Sequence, residues 1–235
     1  MSLTITDLTS ALSIERISVY QNYVRLQDDT LTSNEVNLKA LDLYLWNVNM
    51  ASALFEVINF YEVTLRNKVF NVIDIKFQDS IQDEKLKQAL SGYMRAKLVK
   101  QISTPNITNA LIVSRLNFSF WNCILDKMFY YSGKVDKQNN AVYPRLYKHN
   151  KMLFSIPKRV NKDVFNKLVG RLMAINSEVN DLRNRICHHE PIFKSKIRAI
   201  YIRMLFVLKY LDMNVYKTVK SMERVTSLLK QKPVG

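Results

Sequence analysis

The sequence predicts an all-α protein, on the basis of its turn-residue content and its apolar periodicity. The 235 residues include only 4 Gly and 5 Pro, and no Pro precedes Pro105, so the turn residues that a many-stranded sandwich or barrel requires are scarce. Between residues 43 and 73, apolar side chains recur at steps of three and four, which is the period of one face of an α-helix. These two observations predict a bundle of helices.

The same patterns predict the order of the elements. Ser33 or Asn34 is expected to cap the long helix, and a bend is expected near residues 47–52 because an unbroken helix here would be unusually long. The aromatic-rich residues 107–131 are predicted to form core rather than a base-stacking surface, since folded chains bury such side chains. Further helices are predicted at residues 13–26, 79–101, 162–189, 194–215 and 217–230.

The predicted domain organisation is a single all-helical domain that comprises residues 1–235, because a chain of this length can bury a substantial core as one unit. The stretch Thr104-Pro105-Asn106 interrupts helix. It marks an alternative subdivision into N-terminal helices, 1–103, and a basic half, 104–235.

The charge of the chain is large and uneven. The formal net charge is +15; residues 1–100 carry eleven Lys or Arg against twelve Asp or Glu, whereas residues 101–235 carry twenty-four against eight. A polyanion is the usual partner of such a basic surface, although a solvated basic face without a partner would give the same count. RNA or another nucleic acid is therefore expected to bind mainly through the C-terminal half.

Cysteine usage and the lack of a long apolar segment predict the compartment. Cys123 and Cys187 stand in helical contexts rather than in a spaced framework, which is typical of free thiols in a reducing environment. The first residues show neither a positive leader nor an apolar signal core, and no run of roughly 18 apolar residues occurs. The protein is therefore expected to be cytoplasmic and to have no membrane partner.

The segment of residues 183–189 combines the side chains best suited to chemistry. Of the three His residues, His188 and His189 are adjacent, and histidine is the usual base near neutral pH. On a helix, Asn184 and His188 share a face, so the amide is expected to orient the imidazole, with Arg183 beside that face. By itself this pattern is weak, since a polar helix end is normally only a helix end.

A metal site at the two histidines is not expected. Neighbouring histidines point about 100° apart on a helix, and no helical His-x-x-x-His or Cys-x-x-Cys pattern accompanies them. Gly-rich phosphate loops and Gly-x-Ser-x-Gly elbows are also missing from the sequence. We therefore expect no metal and no other cofactor.

Four strings resemble the motifs of a known family. Residues 182–193 read Leu-Arg-Asn-Arg-Ile-Cys-His-His-Glu-Pro-Ile-Phe. Upstream of them are Leu-Tyr-Leu-Trp-Asn at 43–47, Glu-Val-Thr-Leu-Arg-Asn at 62–67 and Leu-Asn-Phe-Ser-Phe-Trp at 116–121. In this order they resemble the Abi-like (abortive infection, AbiD/AbiF type) proteins of the HEPN superfamily, from about residue 10 to about residue 195.

The resemblance implies a HEPN-like helical bundle with additional N-terminal helices. In that superfamily an Arg-x4-6-His motif marks metal-independent endoribonucleases, and here the motif falls on Arg183, Asn184 and His188, with His189 as an alternative for the spacing. The resemblance also implies a bacterial anti-phage role, often as a growth-arresting toxin, and a homodimer that brings two motifs together.

Residues outside the motif are expected to support it. Glu62 and Arg66, four residues apart on the long helix, fit either an ordinary surface pair or a support for the catalytic site, with Asn67 beside them. The resembling string favours the second interpretation. RNA contacts are expected from the basic residues Arg185, Lys158, Arg159, Lys194, Lys196 and Arg198.

Two other functions fit the residues. A non-catalytic RNA-binding protein would hold a structured or partner RNA through the basic half, by phosphate contacts alone. A protein-interaction module would instead present the stripe that contains Trp46 and Tyr61 as an exposed apolar patch.

Overall fold

The computed structural model describes residues 12–129, 146–155 and 162–233. Within these ranges every regular element is helical and no strand occurs. The predicted all-α fold class is therefore confirmed.

The described ranges contain eleven α-helices and three short turns of other helical types. In chain order the α-helices are α1 (Ile14–Gln27), α2 (Ser33–Lys76), α3 (Glu84–Ala89), α4 (Gly92–Ile102), α5 (Asn109–Arg115), α6 (Phe118–Ile124), α7 (Asn150–Leu153), α8 (Lys162–Cys187), α9 (Ile197–Leu211), α10 (Met213–Met222) and α11 (Val225–Lys230). The other turns are 3-10 at Ser80–Gln82 and Leu146–His149, and π-helical at Leu125–Phe129.

Helix α2 is the longest element, with 44 residues. A capping box starts it: the Thr32 N–H donates to Glu35 Oε2 at 2.9 Å, and the Glu35 N–H donates to the Thr32 hydroxyl at 3.4 Å. The cap is thus Thr32 and not Ser33 or Asn34, because only Thr32 is followed by Glu three residues later. The helix continues without interruption through residues 47–52, where the sequence suggested a bend.

Two of the predicted helices are each divided in the structure. The helix predicted at residues 79–101 is replaced by a 3-10 turn, α3 and α4, because the Asp83 side chain caps α3 and Leu90 has an extended backbone. The helix predicted at 217–230 is divided into α10 and α11, since the Glu223 carboxylate accepts the Thr226 N–H at 2.9 Å and starts a new helix.

The chain divides into two compact units. Unit 1 comprises residues 1–57, 184–198 and 222–235, and unit 2 comprises residues 58–183 and 199–221. The long helices α2 and α8 each contribute residues to both units. The single domain and the alternative boundary after residue 103 stay predictions from the sequence.

Unit 1 is built around an aromatic cluster. The ring of Phe193 lies 5.0 Å from that of Tyr20 and 4.7 Å from that of Tyr23, and Tyr20 makes an edge contact with Tyr44 at 5.3 Å. Because Phe193 follows α8 closely in the chain, these contacts fix the segment after α8 onto α1 and α2.

Unit 2 has the larger core. Its aromatic side chains Phe118, Phe120, Trp121 and Phe129 are at most 5% exposed. The prediction that the aromatic run forms core rather than a base-stacking surface is confirmed for these residues.

The stripe proposed for a protein-interaction module is not on the surface. Trp46, in unit 1, is 5% exposed and donates its indole N–H to the Leu228 carbonyl at 2.7 Å. Tyr61, in unit 2, is fully buried. The expectation of an exposed apolar patch at these residues is therefore wrong, because both side chains fill core positions.

The two units differ strongly in formal charge. Unit 1 carries ten Lys or Arg against nine Asp or Glu, whereas unit 2 carries twenty-five against eleven. Nearly all of the excess positive charge thus belongs to unit 2.

Among the helices of the described ranges, none combines the length and the apolarity that crossing a bilayer requires.

Candidate functional site

Helix α8 ends within the predicted motif, as a Schellman motif. The N–H of Glu190 donates to the Arg185 carbonyl at 2.8 Å, and the N–H of His189 donates to the Ile186 carbonyl at 3.0 Å. The N–H of His188 still bonds to the Asn184 carbonyl at 2.9 Å, as in a regular helix. His188 is therefore the last residue of the helical turn and His189 the first residue beyond it.

His189 occupies the position that glycine usually takes at such a helix end. Its φ is 55°, which lies in the left-handed region where a Cβ crowds the backbone. The His189 carbonyl accepts a hydrogen bond of 2.7 Å from Arg16 Nη1, which connects α1 to this turn. The side chains of His188 and His189 are both exposed, so each imidazole faces solvent rather than core.

Asn47 holds the chain that follows the turn. This buried asparagine accepts the N–H of Ile192 at 2.8 Å and that of Phe193 at 3.2 Å through one side-chain oxygen. On the other side of the turn, Arg185 contacts Glu190 at 3.7 Å and the Pro191 carbonyl at 3.3 Å. The residues around the histidines are thus fixed from both sides within unit 1.

A cleft of about 510 Å³ in unit 1 opens beside this turn. Its lining includes Arg16, Tyr20, Tyr44, Asn47, His189 and Glu190. Sequence reasoning missed Arg16, and it gave Asn47 only as the last residue of the resembling string at 43–47, without a role. The contacts of both residues with the turn join positions more than a hundred apart, which no local spacing signals.

Arg183, the last residue of unit 2 before the boundary, pairs with Glu62. Its Nε lies 3.5 Å from Glu62 Oε1, and the two side chains are 37% and 26% exposed. The structure therefore brings together Arg183 and Glu62, which the sequence assigned to separate strings.

The Glu62 carboxyl is half-buried, and burial disfavours its ionised form. Burial raises the pKa of Glu62 above its ordinary value, and the positive charges of Arg183 and Arg66 only partly oppose this rise. The ionised carboxylate thus costs folding stability near neutral pH. Groups with such perturbed titration concentrate at functional sites, although structural ion pairs also produce them.

The two other residues of the Glu62 string differ in exposure. Arg66 is half-buried, and its Nε has no hydrogen-bond partner among the described residues. Asn67 is exposed. Of the expected supporting residues, Glu62 lies within ion-pair distance of Arg183.

The basic residues expected to bind RNA are distributed as follows. Arg185, Lys194, Lys196 and Arg198 are exposed and belong to unit 1. The ammonium group of Lys194 lies 5.7 Å from the ring centres of both Tyr23 and Phe193. The two remaining candidates, Lys158 and Arg159, lie outside the described residues.

No protein-family model, curated protein or solved structure matches this chain. The site is therefore interpreted from its own residues. Within the described ranges, His, Cys, Asp and Glu side chains form no group of three that could hold a metal ion.

Replacement of His189 by Gly should raise the free energy of unfolding by about 0.5–1 kcal/mol, because Gly adopts a positive φ without steric cost. Urea denaturation of the wild type and the variant measures the difference. His189→Ala is the matched control, since it removes the imidazole but keeps the Cβ. A Gly variant less stable than the Ala variant would contradict the assignment of strain at this position.

Replacement of Glu62 by Gln should change how stability depends on pH. Because the folded-state pKa of Glu62 is raised, its contribution to stability is present below the unfolded-state pKa and is lost as pH rises through the folded-state pKa. The wild type should therefore become less stable relative to Glu62→Gln as pH increases from 4 to 7. Paired denaturation curves in the same buffers cancel the contributions of all other groups, and an unchanged difference would refute the raised pKa.

Proposed function

We propose that this protein is a metal-independent endoribonuclease of the HEPN type, which cuts RNA by attack of a ribose 2′-OH. The observation that carries the proposal is the Arg183–Glu62 contact, five residues before an exposed histidine at a helix end. An accessible imidazole can act as the base, and a guanidinium can stabilise developing charge, and these are two contributions that metal-independent phosphodiester cleavage uses.

His188 acts as the general base in this proposal. Its imidazole takes the proton of the 2′-OH, and the resulting oxygen attacks the adjacent phosphorus. The bond from phosphorus to the 5′-oxygen breaks, and that oxygen receives a proton from a general acid. The products are a 2′,3′-cyclic phosphate and a 5′-hydroxyl. Asn184 is proposed to orient the imidazole, and His189 is the alternative base.

Arg183 stabilises the charge that develops on the phosphate. Its planar guanidinium matches the geometry of the non-bridging phosphate oxygens. Glu62 acts as a positioning residue, because its contact with Nε limits the rotation of the guanidinium.

The proposed active form is a homodimer. A single imidazole cannot serve as base and acid at the same moment, and a two-fold axis would supply a second motif for the departing oxygen. The resemblance to Abi-like proteins supports the dimer. It is also the basis for proposing a role as an abortive-infection toxin in the bacterial cytoplasm.

A non-catalytic RNA-binding protein is the second candidate. The excess of Lys and Arg in unit 2 favours it, because phosphate contacts alone give strong, salt-dependent binding. The two candidates differ in whether the RNA is cut.

Incubation with labelled single-stranded RNA in excess EDTA tests the proposal. We expect cleavage that leaves 2′,3′-cyclic phosphate ends, and a loss of about 10²–10⁴ in rate for Arg183→Ala and for His188→Ala, the usual range for an oxyanion donor and a general base. His149→Ala is the histidine control and should keep the wild-type rate.

The same assay separates the alternatives. RNA that is bound but never cut by the wild type identifies the non-catalytic function. Cleavage that persists in both Arg183→Ala and His188→Ala rules out the assigned residues.

Mixing wild-type and His188→Ala chains tests the dimer. If both motifs of a dimer are required, randomly exchanged chains in equal amounts should retain about one quarter of the wild-type activity. Independent sites would retain about one half. The measurement is the initial rate at constant total protein, after denaturation and refolding together to exchange the chains.

A further inference from the structure

Unit 2 contains a polar cavity of about 320 Å³. It is lined by Ser119, Asn122, Asp126, Met173, Asn176, Ser177 and Asn180. Among the described residues, the lining includes neither Lys nor Arg, although this unit carries most of the positive charge of the chain. The chemistry of the cavity therefore differs from that of a phosphate-binding surface.

Two amide side chains in the cavity present unused hydrogen-bonding atoms. Asn176 is 1% exposed, and its side-chain oxygen accepts the Tyr61 hydroxyl at 2.6 Å. Its Nδ2 is buried and has no hydrogen-bond partner among the described residues, and the same holds for Asn122 Oδ1. Buried polar groups in native proteins are nearly always paired, so an unpaired donor and an unpaired acceptor in one cavity are the atoms that a bound ligand would pair.

A ligand that pairs with both atoms offers one acceptor and one donor. Unpaired nucleobases meet this condition: adenine, for example, has the N7 acceptor beside the N6 amine donor, and amide side chains are its usual partners. Proteins that recognise RNA sequence commonly read such edges on single-stranded bases. The amide and hydroxyl groups of the lining suit the polar edge of a base, and Met173 suits its flat ring.

Two residues of the cavity lining, Asn176 and Asn180, lie on the same face of α8 as Arg183. Asn176, Asn180 and Arg183 are spaced by four and three residues on α8 and therefore share a face. Asn176 and Arg183 are separated by about 10 Å along the helix axis, at 1.5 Å per residue. This distance is comparable to the reach of one nucleotide from its phosphate to the far edge of its base.

Helix α2 supports both ends of this face with consecutive residues. Tyr61 donates to Asn176, and Glu62 pairs with Arg183. The orientations of the cavity amide and of the arginine are thus set by one short segment of one helix.

From these contacts we infer that the cavity binds one unpaired nucleobase of the RNA whose phosphate contacts Arg183. The inference rests on the proposed function and deepens it, because it makes the substrate single-stranded at this position. Asn176 Nδ2 donates to the base, and Asn122 Oδ1 accepts from it. Met173 packs against the ring.

Binding of labelled single-stranded homopolymer RNAs, measured by fluorescence anisotropy in a His188→Ala background, tests the inference. We expect one of the four homopolymers to bind more tightly than the others. Asn176→Asp replaces the donor by an acceptor of nearly equal size and keeps the acceptor for Tyr61. It should weaken binding of the preferred homopolymer by about tenfold or more, as expected for the loss of a base-edge contact.

Two further variants keep the test decisive. Asn122→Ala removes the unused acceptor without breaking a hydrogen bond to a described residue, so it should fold even where Asn176→Asp does not, and it should weaken the same homopolymer. Asn59→Asp, an exposed asparagine on α2, is the charge-matched control and should leave the preference unchanged.

The outcomes distinguish this inference from the proposed function. Base-dependent binding that Asn122→Ala or Asn176→Asp abolishes supports the cavity, whether or not the wild type cuts RNA. Equal binding of all four homopolymers, or a preference that both variants retain, overturns the inference even if cleavage is confirmed. A cavity that holds only solvent gives this second result.

Discussion

The contact between helices α2 and α8 at Tyr61 and Glu62 is the interaction on which the proposed site depends. Tyr61 is buried and fixes Asn176, while its neighbour Glu62 is half-buried and fixes Arg183. Side chains of adjacent helical residues diverge by about 100°, so the two can reach positions two turns apart on the facing helix. A slip of one helix by a single turn would break both contacts together. The cavity and the arginine therefore keep their spacing because one packing arrangement defines both.

Several features near the C-terminal part of α8 lower the stability of the fold. Burial disfavours the ionised form of the Glu62 carboxyl. Asn176 and Asn122 each have a buried polar atom without a hydrogen-bond partner among the described residues, and His189 adopts a backbone conformation suited to glycine. Each has a simpler alternative that would stabilise the fold, such as Gln, an apolar side chain or Gly. Proteins tend to depart from local rules of this kind at functional positions and to compensate elsewhere through packing. The extensive apolar core of α2 provides that compensation here.

The spacing of apolar residues predicted the helices. It did not predict the features that depend on contacts between residues far apart in the sequence. The spacing of apolar residues by three and four predicted α2 and α8, because a helix that buries one face has apolar residues at this period. It did not predict the breaks on either side of α3, where the Asp83 side chain caps the start of the helix and Leu90 ends it with an extended backbone. The Glu62–Arg183 pair was suggested only as a general support, since no periodic pattern connects distant helices. The cavity gave no signal at all, because Asn122 and Asn176 look like ordinary polar residues in the sequence.

The position of Glu62 is compatible with phosphate binding by Arg183, despite the competing negative charge. A guanidinium carries five N–H donors in a rigid plane, and Glu62 approaches it from the Nε edge. A phosphate that approaches the two Nη atoms need not displace the carboxylate, so one contact fixes the orientation while the other binds the substrate. Such a division is more effective than a solvent-exposed arginine, whose flexible side chain would lose conformational entropy on binding. In the proposed function, the carboxylate therefore orients the guanidinium that binds the phosphate.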